Sequence, residues 1–142
     1  MEIARFIVVD DDPVSNLICK IMLEVVLDGT EVKTFTDARE VLNYIREEYT
    51  LGNYKKTTLL LDINMPIMSG WEFLEHFNNF DDQVKRSIEI NILSSSIDPR
   101  DRERSYASKN VQRYLTKPLT PESIGHLITG YSERHLDQRS TD

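Results

Sequence analysis

At 142 residues, 39% hydrophobic and 29% charged, the chain is sized for one soluble domain with a buried core. A net charge of −7 argues against general nucleic-acid binding, which needs a basic surface to meet phosphates. A single cysteine, Cys19, excludes an internal disulfide, and no stretch approaches the ~20 apolar residues of a membrane span, so the chain reads as soluble and cytoplasmic.

Residues 3–9 form a short strand, apolar on both faces, that runs into Asp10, Asp11 and Asp12. After Pro13, Val14, Leu17, Ile18, Ile21 and Val25 recur at helical spacing until Asp28-Gly29 stops the helix. Cys19, lying among Leu17, Ile18 and Ile21, is expected to be a buried small hydrophobe. Residues 31–35 alternate as a second strand. Asp37 and Glu40 then predict a capping box ahead of Ala38, Val41, Leu42 and Ile45.

Residues 50–56 are a loop, and residues 58–61 a third strand that ends at Asp62. Met65-Pro66 and Ser69-Gly70 shape a turn into a helix through Trp71, Leu74, Phe77 and Phe80. The fourth strand, residues 88–93, ends before Ser94. A helix over 98–109 has only Tyr106 and Ala107 as sizeable apolar anchors, which marks it as one of the less stable elements. The fifth strand, 111–115, leads to Lys117-Pro118. A last helix starts at Thr120-Pro121, with Ile124, Leu127, Ile128 and Tyr131 on one face.

This alternation predicts an α/β fold: a doubly wound, five-stranded parallel sheet with helices on both faces, one domain over residues 1–134 and a frayed tail over 135–142. The strand order 2-1-3-4-5 is taken over from flavodoxin-like sheets, where parallel strands end at one edge and ligands bind where the order reverses. In that order Asp10 and Asp11 end strand one and Asp62 ends strand three, on either side of the reversal. Ser94 and Lys117 end strands four and five at the same edge. Burying like charges without cations is unfavourable, so the acids require a divalent metal and Lys117. Mg²⁺ suits two carboxylates, a backbone carbonyl and waters.

Four pieces carry a family resemblance: Val8-Val9-Asp10-Asp11-Asp12-Pro13, then Leu61-Asp62-Ile63-Asn64-Met65-Pro66-Ile67-Met68-Ser69-Gly70, then Leu93-Ser94-Ser95-Ser96, then Tyr114-Leu115-Thr116-Lys117-Pro118. In this order, each at a strand end, they resemble the response-regulator receiver domain of two-component (His-Asp phosphorelay) signalling, over about residues 3–132. The resemblance implies that Asp62 is the phosphoacceptor, taking a phosphoryl group from a sensor histidine kinase or a histidine phosphotransfer protein. It implies Mg²⁺, or Mn²⁺ in its place, held by Asp11, Asp62 and the Asn64 carbonyl, with Asp10 acting through a water. Lys117 would pair first with Asp62 and then with the phosphoryl group, which Ser94 would also bind. Ser94 and Tyr114 would form a switch, with Tyr114 turning into space that Ser94 vacates, and Lys117-Pro118 would be cis. Such a chain catalyses only its own phosphorylation and dephosphorylation and is otherwise no enzyme.

Asp12 ahead of Pro13 is explained as a helix cap and is not counted among the metal ligands. Residues 98–117 hold Arg100, Arg102, Arg104, Lys109, Arg113 and Lys117 against Asp98, Asp101 and Glu103. This balance suggests either a solvated helix face or a basic output face, including Arg104 and Arg113, for an acidic protein target. The stretch after Lys117 has room for one helix and a tail, so no output domain is expected. The chain would act alone on a protein target, or through a phosphorylation-dependent homodimer.

Two alternatives stand beside this reading. Asp10-Asp11-Asp12-Pro13-Val14 also fits a haloacid-dehalogenase-like phosphatase, with Asp10 as nucleophile and Asp12 as general acid/base. That reading lacks a Gly-Asp-x-x-x-Asp pair after Lys117 and leaves Asp62 unexplained. A receiver-like docking module that is never phosphorylated is the second, and the complete acid set argues against it.

Overall fold

Strand β1 (Arg5–Val9) is buried at every position and is flanked on both sides by parallel partners, β2 (Glu31–Phe35) and β3 (Thr57–Leu61). In the computed structural model, which describes residues 5–130, β4 (Ile88–Ser94) and β5 (Val111–Thr116) extend the sheet beyond β3. The order is β2-β1-β3-β4-β5, all parallel, as the sequence led us to expect. Register makes the strand ends flush: Val9 faces both Phe35 and Leu61, Leu61 faces Ile92, and Ser94 faces Thr116. Asp10, Asp62 and Lys117, each one residue past a strand end, are therefore brought to one edge.

The helices are α1 (Pro13–Val26), α2 (Ala38–Thr50), α3 (Gly70–Phe77), α4 (Asp82–Ser87), α5 (Pro99–Ala107) and α6 (Pro121–Thr129). Alternate side chains of the central strands feed two cores. Ile7, Val9, Leu59, Leu61, Ile90 and Ile92 meet Val41, Ile45, Phe73 and Phe77 of α2 and α3. Phe6, Val8, Leu60 and Leu93 meet Cys19 and Leu23 of α1 and Ile124 and Leu127 of α6. Strands buried on both faces explain the continuous apolar runs; the edge strand β2 buries no residue fully, with Val32 against one core and Phe35 against the other.

Local chemistry departs from expectation in three places. The sequence does not announce α4, because its six residues carry one apolar anchor, Val84, and one cap, Asp81, too little for a helical period. Asp37 caps α2 by accepting from the Arg39 backbone N–H rather than sharing a box with Glu40. The complete capping box lies instead at the start of α3, between Ser69 and Glu72. Ile3, Tyr131 and the tail 135–142 lie outside the described residues.

The largest difference concerns α1. Its apolar stripe faces away from the sheet: Val14, Leu17, Ile18, Ile21 and Val25 are 51–75% exposed. Asn16, Cys19 and Leu23 face inward instead. Asn16 fixes this rotation, since its side-chain amide donates to the carbonyls of Asp10 (2.9 Å) and Phe35 (3.0 Å), the residues at the ends of β1 and β2. Turning this buried amide to solvent would take its donor from the Asp10 carbonyl and leave Phe35 with the Asp10 N–H alone. This orientation has a direct check in denaturant unfolding: Leu23→Ala should destabilise by about 2–5 kcal/mol. Ile21→Ala, on the open face, should shift stability by no more than about 0.5 kcal/mol.

Candidate functional site

Backbone hydrogen bonds lock the strand ends together before any side chain is considered. The Asp10 N–H donates to Phe35, Asp62 to Val9, and Lys117 to Ser94. From these positions the carboxylates of Asp10, Asp11 and Asp62 converge, with one oxygen of each within 4.8 Å of the others. Asp10 (4% exposed) and Asp62 (7%) are buried, whereas Asp11 opens to solvent. The Lys117 ammonium enters the same pocket, 2.5 Å from Asp10 and 3.7 Å from Asp62. Lys117 was expected to pair first with Asp62; its short contact is with Asp10, the more buried acid. Asp62 keeps a looser shell, with one oxygen accepting from the Asn64 N–H at 3.4 Å.

The electrostatics follow from burial. Desolvation raises the Asp62 carboxyl above its ordinary value, with Asp10 and Asp11 adding to the rise and Lys117 and the Asn64 N–H opposing it. For Lys117, burial pulls the ammonium down, but the Asp10 hydrogen bond and the charge of Asp62 prevail and its value rises. Beneath the site, burial pushes the Cys19 thiol up to about 11, the mark of an inert buried cysteine.

Ser94 is fully buried, and its hydroxyl oxygen accepts from the Ser96 N–H (3.1 Å). Tyr114 is buried, 5% exposed. Its hydroxyl donates to the Ser96 carbonyl (3.0 Å), and Arg102 of α5 lies over its ring. The tyrosine thus already occupies an inward seat, linked to Ser94 through Ser96. Lys117-Pro118 is cis.

Two backbone devices hold the loop after Asp62. A methyl group at Gly70 would stand 2.6 Å from the Asp62 carbonyl oxygen and 2.7 Å from Ile63 Cα, so only glycine lets α3 start this close to the acid. Ile67 is the second: it is β-branched, 73% exposed and held at φ +70°, a strained conformation that the sequence does not signal.

Some expected roles are redistributed. The Asp12 carboxylate accepts from the Val14 N–H (2.9 Å) as the cap of α1, the role expected of it. Arg113 does not belong to an exposed basic face: it is 5% exposed and pairs with Glu89 and Asn91 inside the sheet. In register it stands beside Asn91 of β4, and that strand supplies both partners. Arg100 is consumed locally by Asp98.

Comparison with known proteins agrees with this geometry. The family model for the response regulator receiver domain matches residues 6–129, and the chain belongs to that family. It is 34% identical over 124 residues to the two-component response regulator ARR11 of Arabidopsis thaliana, an alignment covering 84% of this chain but 21% of that protein. The chain thus spans about a fifth of the length of this relative. It is also similar to the crystal structure of a two component response regulator from Cytophaga hutchinsonii, with 29% identity, a TM-score of 0.83 and coverage of 92% of this chain and 97% of that one. The phosphorylated cyanobacterial phytochrome response regulator RcpA is similar at 27% identity and a TM-score of 0.68, over 91% of both chains.

The raised Asp62 carboxyl gives stability a defined pH dependence. The folded chain holds this proton more tightly than the unfolded chain, so ionised Asp62 is destabilising above its folded value. That penalty fades as pH falls through the folded value and is gone below the ordinary carboxylate value. In metal-free buffer Asp62→Asn should therefore melt higher than wild type at neutral pH and lose the advantage on acidification. Gly70→Ala should do the opposite, lowering stability by about 1–3 kcal/mol in denaturant unfolding through the close approach to Asp62.

Proposed function

We propose that Asp62 accepts a phosphoryl group from a phosphohistidine on a sensor histidine kinase or a histidine phosphotransfer protein. The observation that carries this is the convergence of Asp10, Asp11, Asp62 and Lys117 on one edge, with Asp62 the less tightly held of the two buried acids. The donor set is all oxygen, two of the three acids are buried, and one is open to solvent, which fits a hard divalent cation. Asp11, Asp62 and the Asn64 carbonyl would hold Mg²⁺, or Mn²⁺, with Asp10 bonded through a water. When bound, the metal offsets charge on the acids and on the incoming phosphoryl oxygens.

The chain's own residues supply positioning and charge. An Asp62 carboxylate oxygen forms a bond to phosphorus as the phosphorus–nitrogen bond of the phosphohistidine breaks, and the imidazole leaves. Lys117 meets a phosphoryl oxygen from its place between Asp10 and Asp62. The Ser94 hydroxyl accepts from Ser96 and retains its own proton to donate to the phosphoryl group. Pulling on Ser94 moves the segment whose Ser96 carbonyl holds Tyr114, so phosphorylation favours the inward seat and alters the face formed by residues 98–117. That face would then bind a protein target or a second copy of the chain. The chain turns over no separate substrate. It belongs in the cytoplasm, where such kinases are charged by ATP.

The exposed stripe of α1 supports the choice of donor. It begins directly after Asp10, Asp11 and Asp12, so Val14, Leu17, Ile18 and Ile21 extend from the rim of the acid pocket. A phosphohistidine carried on a protein surface needs such a contact to bring its phosphorus to Asp62.

Incubation with acetyl phosphate and Mg²⁺, followed by mapping of the modified residue, should place the label on Asp62 and give none in Asp62→Asn; a label on Asp10 would overturn the reading. Ile18→Asp with Ile21→Asp should leave acetyl phosphate labelling intact while slowing transfer from a phosphohistidine protein roughly tenfold or more.

A further inference from the structure

We infer that the groove between α3 and α5 binds an acidic peptide segment of a partner protein, seating an apolar side chain on Trp71 and Leu74 and its carboxylates on Arg104 and Lys109. The groove encloses about 450 Å³ and lies between Trp71, Leu74 and Glu75 on one side and Arg104, Ala107 and Lys109 on the other. A hydrogen bond from Asn110 to Asn78 (3.1 Å) links the two sides. Leu74 is buried in the core and Trp71 packs against it, so the floor is fixed, while the rim belongs to exposed side chains.

Charge identifies the occupant. The chain carries −7 overall, and many cations among the described residues are matched to acids, such as Arg5 to Glu48, Arg39 to Asp37, Lys55 to Glu31, Lys85 to Asp82 and Arg113 to Glu89. Among the described residues, Arg104 and Lys109 have no such carboxylate. Arg104 instead lies over the Trp71 ring, its guanidinium carbon 4.4 Å from the centroid, and its five N–H donors suit a carboxylate. Two cations over an aromatic and aliphatic floor match a segment whose acids flank one apolar residue. Glu75 stands alone on the opposite wall and repels a segment laid in reverse, so it sets orientation. With Arg113 buried, Arg100 paired, Arg102 over Tyr114 and Lys117 in the acid pocket, Arg104 and Lys109 are what remains of the basic face that composition suggested. The groove is separate from Asp62, and the inference does not depend on the phosphoacceptor reading.

Trp71 is the only tryptophan, so its emission reports directly on the groove. The probe is a set of synthetic peptides in which one Leu or Phe is moved through a run of Asp and Glu, with Asn/Gln versions as controls. At low salt, at least one acidic peptide should change Trp71 emission saturably, its Asn/Gln version should not, and added salt should weaken binding. Arg104→Gln with Lys109→Gln, checked for fold by circular dichroism, should weaken binding roughly tenfold or more. Absence of saturable binding by the whole set, equal binding by the double variant, or equal binding of the Asn/Gln peptides would overturn the inference. So would an emission change that follows chain concentration without peptide, which would assign the groove to a second copy. Asp62→Asn should bind as wild type does, and the double variant should still be labelled by acetyl phosphate, so failure of the groove and failure of the phosphoacceptor reading are separately visible.

Discussion

The contact between Lys117 and Asp10, 2.5 Å long and mostly enclosed, is what allows the rest of the edge to exist. Three carboxylates share a small volume there, two of them buried, and without a cation their mutual repulsion and desolvation would oppose folding of the strand ends. One ammonium among three acids leaves the pocket short of positive charge. Burial keeps Asp62 raised above its ordinary value, with Asp10 and Asp11 adding to the rise; in the reading proposed above, a divalent cation and a phosphoryl group would relieve that deficit. Stability and function are therefore opposed at this edge: the sheet would be more comfortable with fewer acids.

The orientation of α1 shows how a polar contact can overrule an apolar pattern. The stripe from Val14 to Val25 satisfies every rule for a core-facing helix, yet it faces solvent. Asn16 donates to the Asp10 carbonyl and adds a second donor to Phe35, which already accepts from the Asp10 N–H, and its side chain points inward to reach both. Cys19 and Leu23, on the same face as Asn16, become the core contacts by consequence. What is left outside is an apolar surface beside the acid pocket, better suited to a partner than to the interior.

Helix α5 has the reverse character. Ser105 is its only buried residue, and its attachment relies on Tyr106, on Arg102 over Tyr114 and on Arg104 over Trp71. Contacts of that kind are each worth little and can be exchanged without opening a core. An element held this way, between the buried tyrosine and an open groove, is suited to respond to changes on either side.

The sequence by itself determined the strands, because buried parallel strands write continuous apolar runs, and analogy with flavodoxin-like sheets supplied their order, which put Asp10, Asp11 and Asp62 at one edge. It also determined the caps at Asp12 and Thr120, since a cap bonds to backbone within a few residues. Tertiary structure alone decided which face of α1 packs, because the deciding acceptors belong to residues at two separate strand ends. It decided that Lys117 rests on Asp10 more closely than on Asp62, that Tyr114 lies inward, and that Arg113 is interior, since each depends on neighbours supplied by other strands. It decided as well that Gly70 must be glycine, through a backbone approach of α3 to Asp62 that no local pattern records. Local preferences act over a few residues and can be read along the chain; contacts between strand ends depend on register and packing, which exist only once the sheet has formed.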